Sequence, residues 1–207
     1  MQITDMIDVT LALVEEAVRI LHGVAHYTPV LTSHQLDSLS GAWVFLKCEN
    51  FQRVGAFKFR GAYHAIAQLI SSQPSRVFAT ASSGNHGQGL ALACRLQGAT
   101  AHVMMPKPLS VMKHRAVLSY GAQVHVVEDR SRADAKLREL AGDYQAVVVH
   151  PCNDPFVIAG QGTVMVEFVD QVAGLDIVLA PVGGGRLAFR SLSRGTGPPT
   201  KHSNLCM

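Results

Sequence analysis

Leu13, Ala17, Ile20 and Leu21 recur at helical spacing near the start of the chain, which predicts an amphipathic helix over residues 10–22 that Pro29 keeps from continuing. A short strand is predicted at "WVFL", 43–46. Four apolar runs follow: "VFATA" at 77–81, "AHVMM" at 101–105, "QVHVV" at 123–127 and "AVVVH" at 146–150. Helical patterns fill the gaps at 86–97, 111–118 and 131–140, and Gly98, Gly121 and Gly142 read as their C-caps. Strands alternating with helices in this way predict an α/β fold with an open parallel sheet. A further helix at 162–172 leads to the strand "DIVLAPV", which runs into Gly183, Gly184 and Gly185. Beyond that point Arg, Ser, Gly and Pro dominate and neither period persists, so 186–207 is expected to be disordered.

Composition narrows the function classes. The 207 residues are 48% hydrophobic and 16% charged with a formal net charge of +3, too small an excess for a nucleic-acid-binding stripe. Asp5, Asp8, Glu15 and Glu16 break any secretory-signal core, and no apolar run approaches membrane-spanning length. A cytoplasmic protein is expected, with no membrane or nucleic-acid partner. Cys48, Cys94, Cys152 and Cys206 are scattered without C-x-x-C spacing, so reduced thiols are expected. His22 and His26 lie four apart, but Gly23 stands between them at a helix end and no third ligand is near, so no metal site is expected.

Open α/β sheets bind ligands beyond the carboxyl ends of their strands, which makes the loops after each strand the informative ones. "SSGNHGQGLALA", 82–93, follows a strand and opens a helix, offering hydroxyls and backbone N–H groups to an anion. Its glycine order is G-x-x-G-x-G, so it is not the dinucleotide fingerprint. "PVGGG", 181–185, gives a backbone free to wrap a phosphate. In "FQRVGAFKFRGAYHAI", 51–66, Lys58 sits between Phe57 and Phe59. An amine that attacks a carbonyl must be neutral, yet at a reference pKa near 10.4 only about one lysine in two to three thousand is neutral at pH 7. Partial burial by the two aromatics, or the neighbouring Arg60, would raise that fraction. Each stretch alone also reads as ordinary structure: a capped turn, a flexible turn, a lysine reaching from a helix. Glu167 reads as a packed or solvated carboxylate rather than a catalytic acid.

Together, and in this order, "TP" at 28–29, "KCENFQRVGAFKFRGA", "SSGNHGQGLA", "HPCNDP", "AGQGT" and the glycine loop resemble the fold type II pyridoxal-phosphate enzymes, and among them the serine/threonine dehydratases. The likeness covers about residues 10–185 and is far more specific than any one motif. It implies the three-layer open parallel sheets of that fold type, as in the tryptophan synthase β chain. Residues 48–150 would form a complete small domain, with 1–47 and 151–185 parts of a larger one. It also implies pyridoxal 5'-phosphate as cofactor, held covalently by Lys58, with Phe57 packed on the ring, Asn85 at the ring hydroxyl and Gly183, Gly184 and Gly185 around the phosphate. Ser82, Ser83, Gly84 and His86 would receive the substrate carboxylate.

The implied reaction is dehydration and deamination of L-threonine or L-serine to 2-oxobutanoate or pyruvate and ammonia, with the freed lysine as base. Ser83 carries an alternative: a hydroxyl there would return a proton to Cα from the opposite face, as in related serine racemases, or would simply bind substrate. Complete relatives are expected to be homo-oligomers. The family pattern stops after Gly185, where a fourth glycine is expected and Arg186 stands, so a shifted reading frame or another truncation is expected there, leaving an inactive remnant as a further alternative.

Overall fold

The computed structural model describes residues 8–180 and the strand at 204–206. Helix α1 (Leu11–Leu21) begins where Thr10 Oγ1 accepts the Leu13 N–H at 3.3 Å. Strand β1 (Val30–Thr32), helix α2 (His34–Ser40) and strand β2 (Trp43–Lys47) follow. Two short 3₁₀ turns then lead to α3 (Lys58–Leu69), a helix that the apolar pattern does not announce. In the second turn Val54 adopts φ 57° and ψ 13°, a left-handed conformation that costs a β-branched residue about 1–3 kcal/mol. Gln52 and Arg53 hold the turn: Gln52 Oε1 accepts the His26 and Arg53 N–H groups, and Arg53 Nε donates to Val24 O at 2.6 Å.

From there the chain alternates: β3 (Val77–Ala81), α4 (Asn85–Leu96), β4 (Thr100–Pro106), α5 (Val111–Ser119), β5 (Gln123–Val127), α6 (Arg130–Asp143) and β6 (Val147–Val148). The strands form one parallel sheet in the order β5-β4-β3-β6. Both faces are covered, which explains the continuous apolar runs. Phe78, Ala101, Val103 and Met105 pack with residues of α3, α4 and α5, while Ala79, Ala81 and Met104 pack against Ala133 and Leu140 of α6. The expected three-layer α/β arrangement is therefore present. Burying each large side chain of this core contributes about 1.5–3 kcal/mol.

Helix α7 (Pro155–Gln171) is longer than the predicted 162–172. Asp154 caps it by accepting the Phe156 and Val157 N–H groups, with Pro155 in the first turn. Its crossing with α3 needs bare backbone: a Cβ on Gly160 would lie 2.6 Å from Arg60 O and 2.8 Å from Gly61 Cα. Strand β7 (Ile177–Val178) and β8 (Asn204–Cys206) complete a second sheet in the order β1-β2-β8-β7, in which only the β1–β2 pair is antiparallel. The expectation of disorder across 186–207 thus fails at 204–206, where the open edges of β2 and β7 both accept a parallel partner. Gly98 and Gly121 take positive φ beyond α4 and α5, as expected of C-caps, whereas Gly142 lies inside α6. No helix among the described residues is long and apolar enough to cross a membrane.

Candidate active site

Lys58 is the first residue of α3, and the loop 82–84 stands at the start of α4. The two helix starts meet because Gly89 has no side chain: a Cβ there would lie 3.2 Å from Lys58 O. The lysine is half-buried. Its Nζ lies 5.0 Å from the Phe57 ring centroid and donates to Pro151 O at 3.0 Å. Burial pushes the amine below its ordinary value, opposed by the neighbouring Cys152. Arg60 takes no part in this. Two positions along a helix face different ways, and the Arg60 guanidinium is bound to Glu49 and Glu167 instead.

On the facing loop, Ser82 Oγ accepts the N–H groups of Gly84 and Gly87, both at 3.2 Å, and so shapes the turn into α4. Gly84 is the N-cap residue and has no side chain to cap the helix, so in the first turn of α4 Ser82 Oγ takes the Gly87 N–H and the earlier N–H groups remain for an external acceptor. Ser83 and Asn85 are exposed. His86 is buried and does not cap the helix; its Nε2 donates to Val149 O at 3.3 Å. The proton therefore sits on Nε2, and the Nδ1 lone pair is buried without a hydrogen-bond partner. Burial, reinforced by Lys58, pushes this imidazole down to about 3.

Three of these neighbours lie outside the set expected from the sequence. Pro151 acts through its carbonyl, and Cys152 sits beside Lys58. Lys113 of α5 places Nζ 3.7 Å from where a Cβ on Gly84 would lie. Gly183, Gly184 and Gly185, expected around a phosphate, lie outside the described residues. Glu167 is packed among cations, as read.

The buried neutral His86 has a measurable consequence. Its folded value lies below the unfolded 6.5, so the stability it contributes is complete above about pH 6.5 and is lost as pH falls toward about 3. In urea unfolding, wild type is expected to lose about 1.4 kcal/mol per pH unit more than His86→Leu in that window, about 5 kcal/mol in all. Parallel curves for the two proteins would exclude a buried neutral imidazole.

Comparison with known proteins agrees with this geometry. Residues 22–189 match the family model described as "Pyridoxal-phosphate dependent enzyme". The chain is 40% identical over 183 residues to the L-threonine ammonia-lyase of Thermotoga maritima, covering 86% of this chain and 45% of that protein. It is 47% identical over 163 residues to the beta-hydroxyaspartate dehydratase of Paracoccus denitrificans, covering 76% and 50%. The solved structure of maize serine racemase superposes with a TM-score of 0.82 at 35% identity, over 84% of this chain and 54% of that one. The chain spans about half the length of the curated relatives it matches. A lysine amine kept partly out of water at one helix start, facing a serine-rich turn at another, is thus found within a matched stretch that takes in most of the sequence, and the chain belongs to the pyridoxal-phosphate dependent enzymes.

Proposed function

We propose that this chain serves the dehydration and deamination of a small β-hydroxy amino acid, L-threonine or L-serine, to a 2-oxo acid and ammonia. The observation that carries the reading is the half-buried Lys58 amine, lowered in basicity, held by Pro151 O and set against the open turn at 82–86. The described residues fit the cofactor: an amine lowered in basicity by burial, an aromatic ring beside it and a buried imidazole with a free lone pair. Pyridoxal phosphate, when bound, supplies a sink for the charge that develops at Cα.

The chain's own residues supply the rest. Lys58 Nζ would hold the cofactor, and its amine would take the Cα proton. Phe57 would pack on the ring and Asn85 would donate to its hydroxyl. The first turn of α4, with Ser82, Ser83 and Gly84, binds the substrate carboxylate and fixes the Cα–H bond toward the lysine. His86 lies buried within reach of the Lys58 charge and adds none of its own, because it stays neutral. The proposed setting is cytoplasmic, in keeping with the free thiols of Cys48, Cys94 and Cys152.

A second reading, serine racemisation, is favoured by Ser83: its hydroxyl is exposed and makes no hydrogen bond to a described residue, so it is free to return a proton to Cα. The test is incubation of the full chain and cofactor with L-threonine and L-serine, measuring 2-oxo acid and, by chiral chromatography, D-serine. The lyase reading expects 2-oxo acid in excess. D-serine in excess, abolished in Ser83→Ala, would replace it with racemisation, and neither product would overturn both.

A further inference from the structure

The segment 149–153 joins β6 to the cap of α7 and touches both buried site groups through its backbone. Val149 O accepts from His86 Nε2 at 3.3 Å, and Pro151 O accepts from Lys58 Nζ at 3.0 Å. His150 closes this turn. Its Nδ1 accepts the N–H of Cys152 at 3.1 Å and of Asn153 at 3.0 Å, after which Asp154 takes over as acceptor for α7. An imidazole nitrogen that accepts two amides carries no proton, so His150 is the Nε2–H tautomer. Protonation would put a third N–H where two already point, and one side of the turn would have to move.

We propose that His150 is a positioning residue: its unprotonated Nδ1 shapes the 149–153 turn so that Pro151 O holds the Lys58 amine, and protonation of His150 releases that amine. The inference rests on the reading of Lys58 as the cofactor lysine. The charged and titratable groups acting on His150 are Arg130 and Asp134 of α6 and Lys58 of α3, with His86 of α4 coupled to it in turn. His150 is exposed, and partial desolvation in the turn first and then Arg130 push it below its ordinary value, Asp134 opposing, so the neutral imidazole predominates at pH 7. Lysine capture is therefore intact above the His150 titration and fails as pH falls through it.

Two readouts test this on the full chain. In the cofactor-free protein, ¹⁵N-imidazole NMR is expected to show His150 with bare Nδ1 at pH 7, and the Cys152 and Asn153 amides to lose exchange protection as His150 protonates. The rate at which borohydride fixes pyridoxal phosphate on Lys58, read by peptide mass, is then followed as pH is lowered from about 8 through the His150 titration that the NMR series locates. Protonation of an amine alone lowers such a rate about tenfold per pH unit. Wild type is expected to fall about a hundredfold per unit below the His150 titration, and His150→Asn, whose Oδ1 accepts the same amides without titrating, only about tenfold. His150→Ala is expected to be slow throughout, and the Asn variant restores the rate. Equal slopes in wild type and His150→Asn, or a protonated Nδ1 at pH 7, overturn the inference alone. Absence of label on Lys58 in wild type overturns the cofactor reading and this inference with it.

Discussion

Glu167→Ala is expected to destabilise the fold by about 3–5 kcal/mol, the cost of leaving a buried charge without its partner. Glu167 Oε1 accepts from Lys47 Nζ at 2.6 Å and from the Thr28 N–H at 2.8 Å, while Oε2 meets Arg60 at 2.7 Å. The three charged side chains are only 4%, 10% and 3% exposed for Lys47, Glu167 and Arg60. Arg60 also binds Glu49, so two cations face two carboxylates and the set is neutral. Without Glu167, Lys47 keeps no carboxylate and Arg60 keeps only Glu49, and too little water reaches either to screen the excess. Glu167→Gln keeps an acceptor but not the charge, and is expected to fall between Ala and wild type. Pairing Lys47→Met with Glu167→Gln restores neutrality and is expected to recover part of the loss, a non-additivity of about 0.5–3 kcal/mol in a double-mutant cycle. Urea unfolding of wild type, Glu167→Ala, Glu167→Gln, Lys47→Met and the double variant decides it. A Glu167→Ala value within about 1 kcal/mol of wild type would mean the cluster is solvated after all. The effect reaches the site because Arg60 lies in the first turn of α3, which begins at Lys58.

The same cluster explains why α3 is hard to read from the sequence. A buried Arg60 and a buried His64 stand on the inward face where apolar residues are sought, which disguises that face in the sequence. The early part of α7 hides for a related reason. Gly160 is there to admit α3, and the helix is enclosed on several sides, which leaves little polar face to define a period, although Asp154-Pro155 marks its start. By contrast β3, β4 and β5 are legible to within about a residue at each end because a parallel sheet buried on both faces writes continuous apolar runs. Gly142 misleads because α6 ends on Tyr144, with Gln145 at φ 51° doing what a glycine usually does. In the site, Lys58 and the 82–86 turn are legible as local motifs. Pro151 and the turn held by His150 act through backbone carbonyls and amides, which no residue type advertises.

Lys58→Ala is expected to abolish fixation of pyridoxal phosphate by borohydride and to lower any 2-oxo acid production by about 10²–10⁴-fold, the usual contribution of a positioned base. The variant is expected to remain folded within about 1 kcal/mol, since the side chain is half-buried and donates one hydrogen bond, to Pro151 O. Loss of capture therefore reports the amine rather than the fold. Lys58→Arg separates charge from nucleophilicity: the guanidinium keeps the positive charge but stays protonated, so it too is expected to take no label. Burial lowers the Lys58 amine, so wild-type capture is expected to reach its plateau at a lower pH than the roughly 10.4 of a free lysine. Peptide mapping makes the result specific. Lys113 is the competitor, because its ammonium stands 3.7 Å from the Cβ position of Gly84, on the loop that faces Lys58. Label on Lys113 that persists in Lys58→Ala would transfer the cofactor to α5 and sink the assignment. Label confined to Lys58 leaves Lys113 as a cation beside the turn proposed to bind the substrate carboxylate, where it would steer an anionic substrate toward the amine.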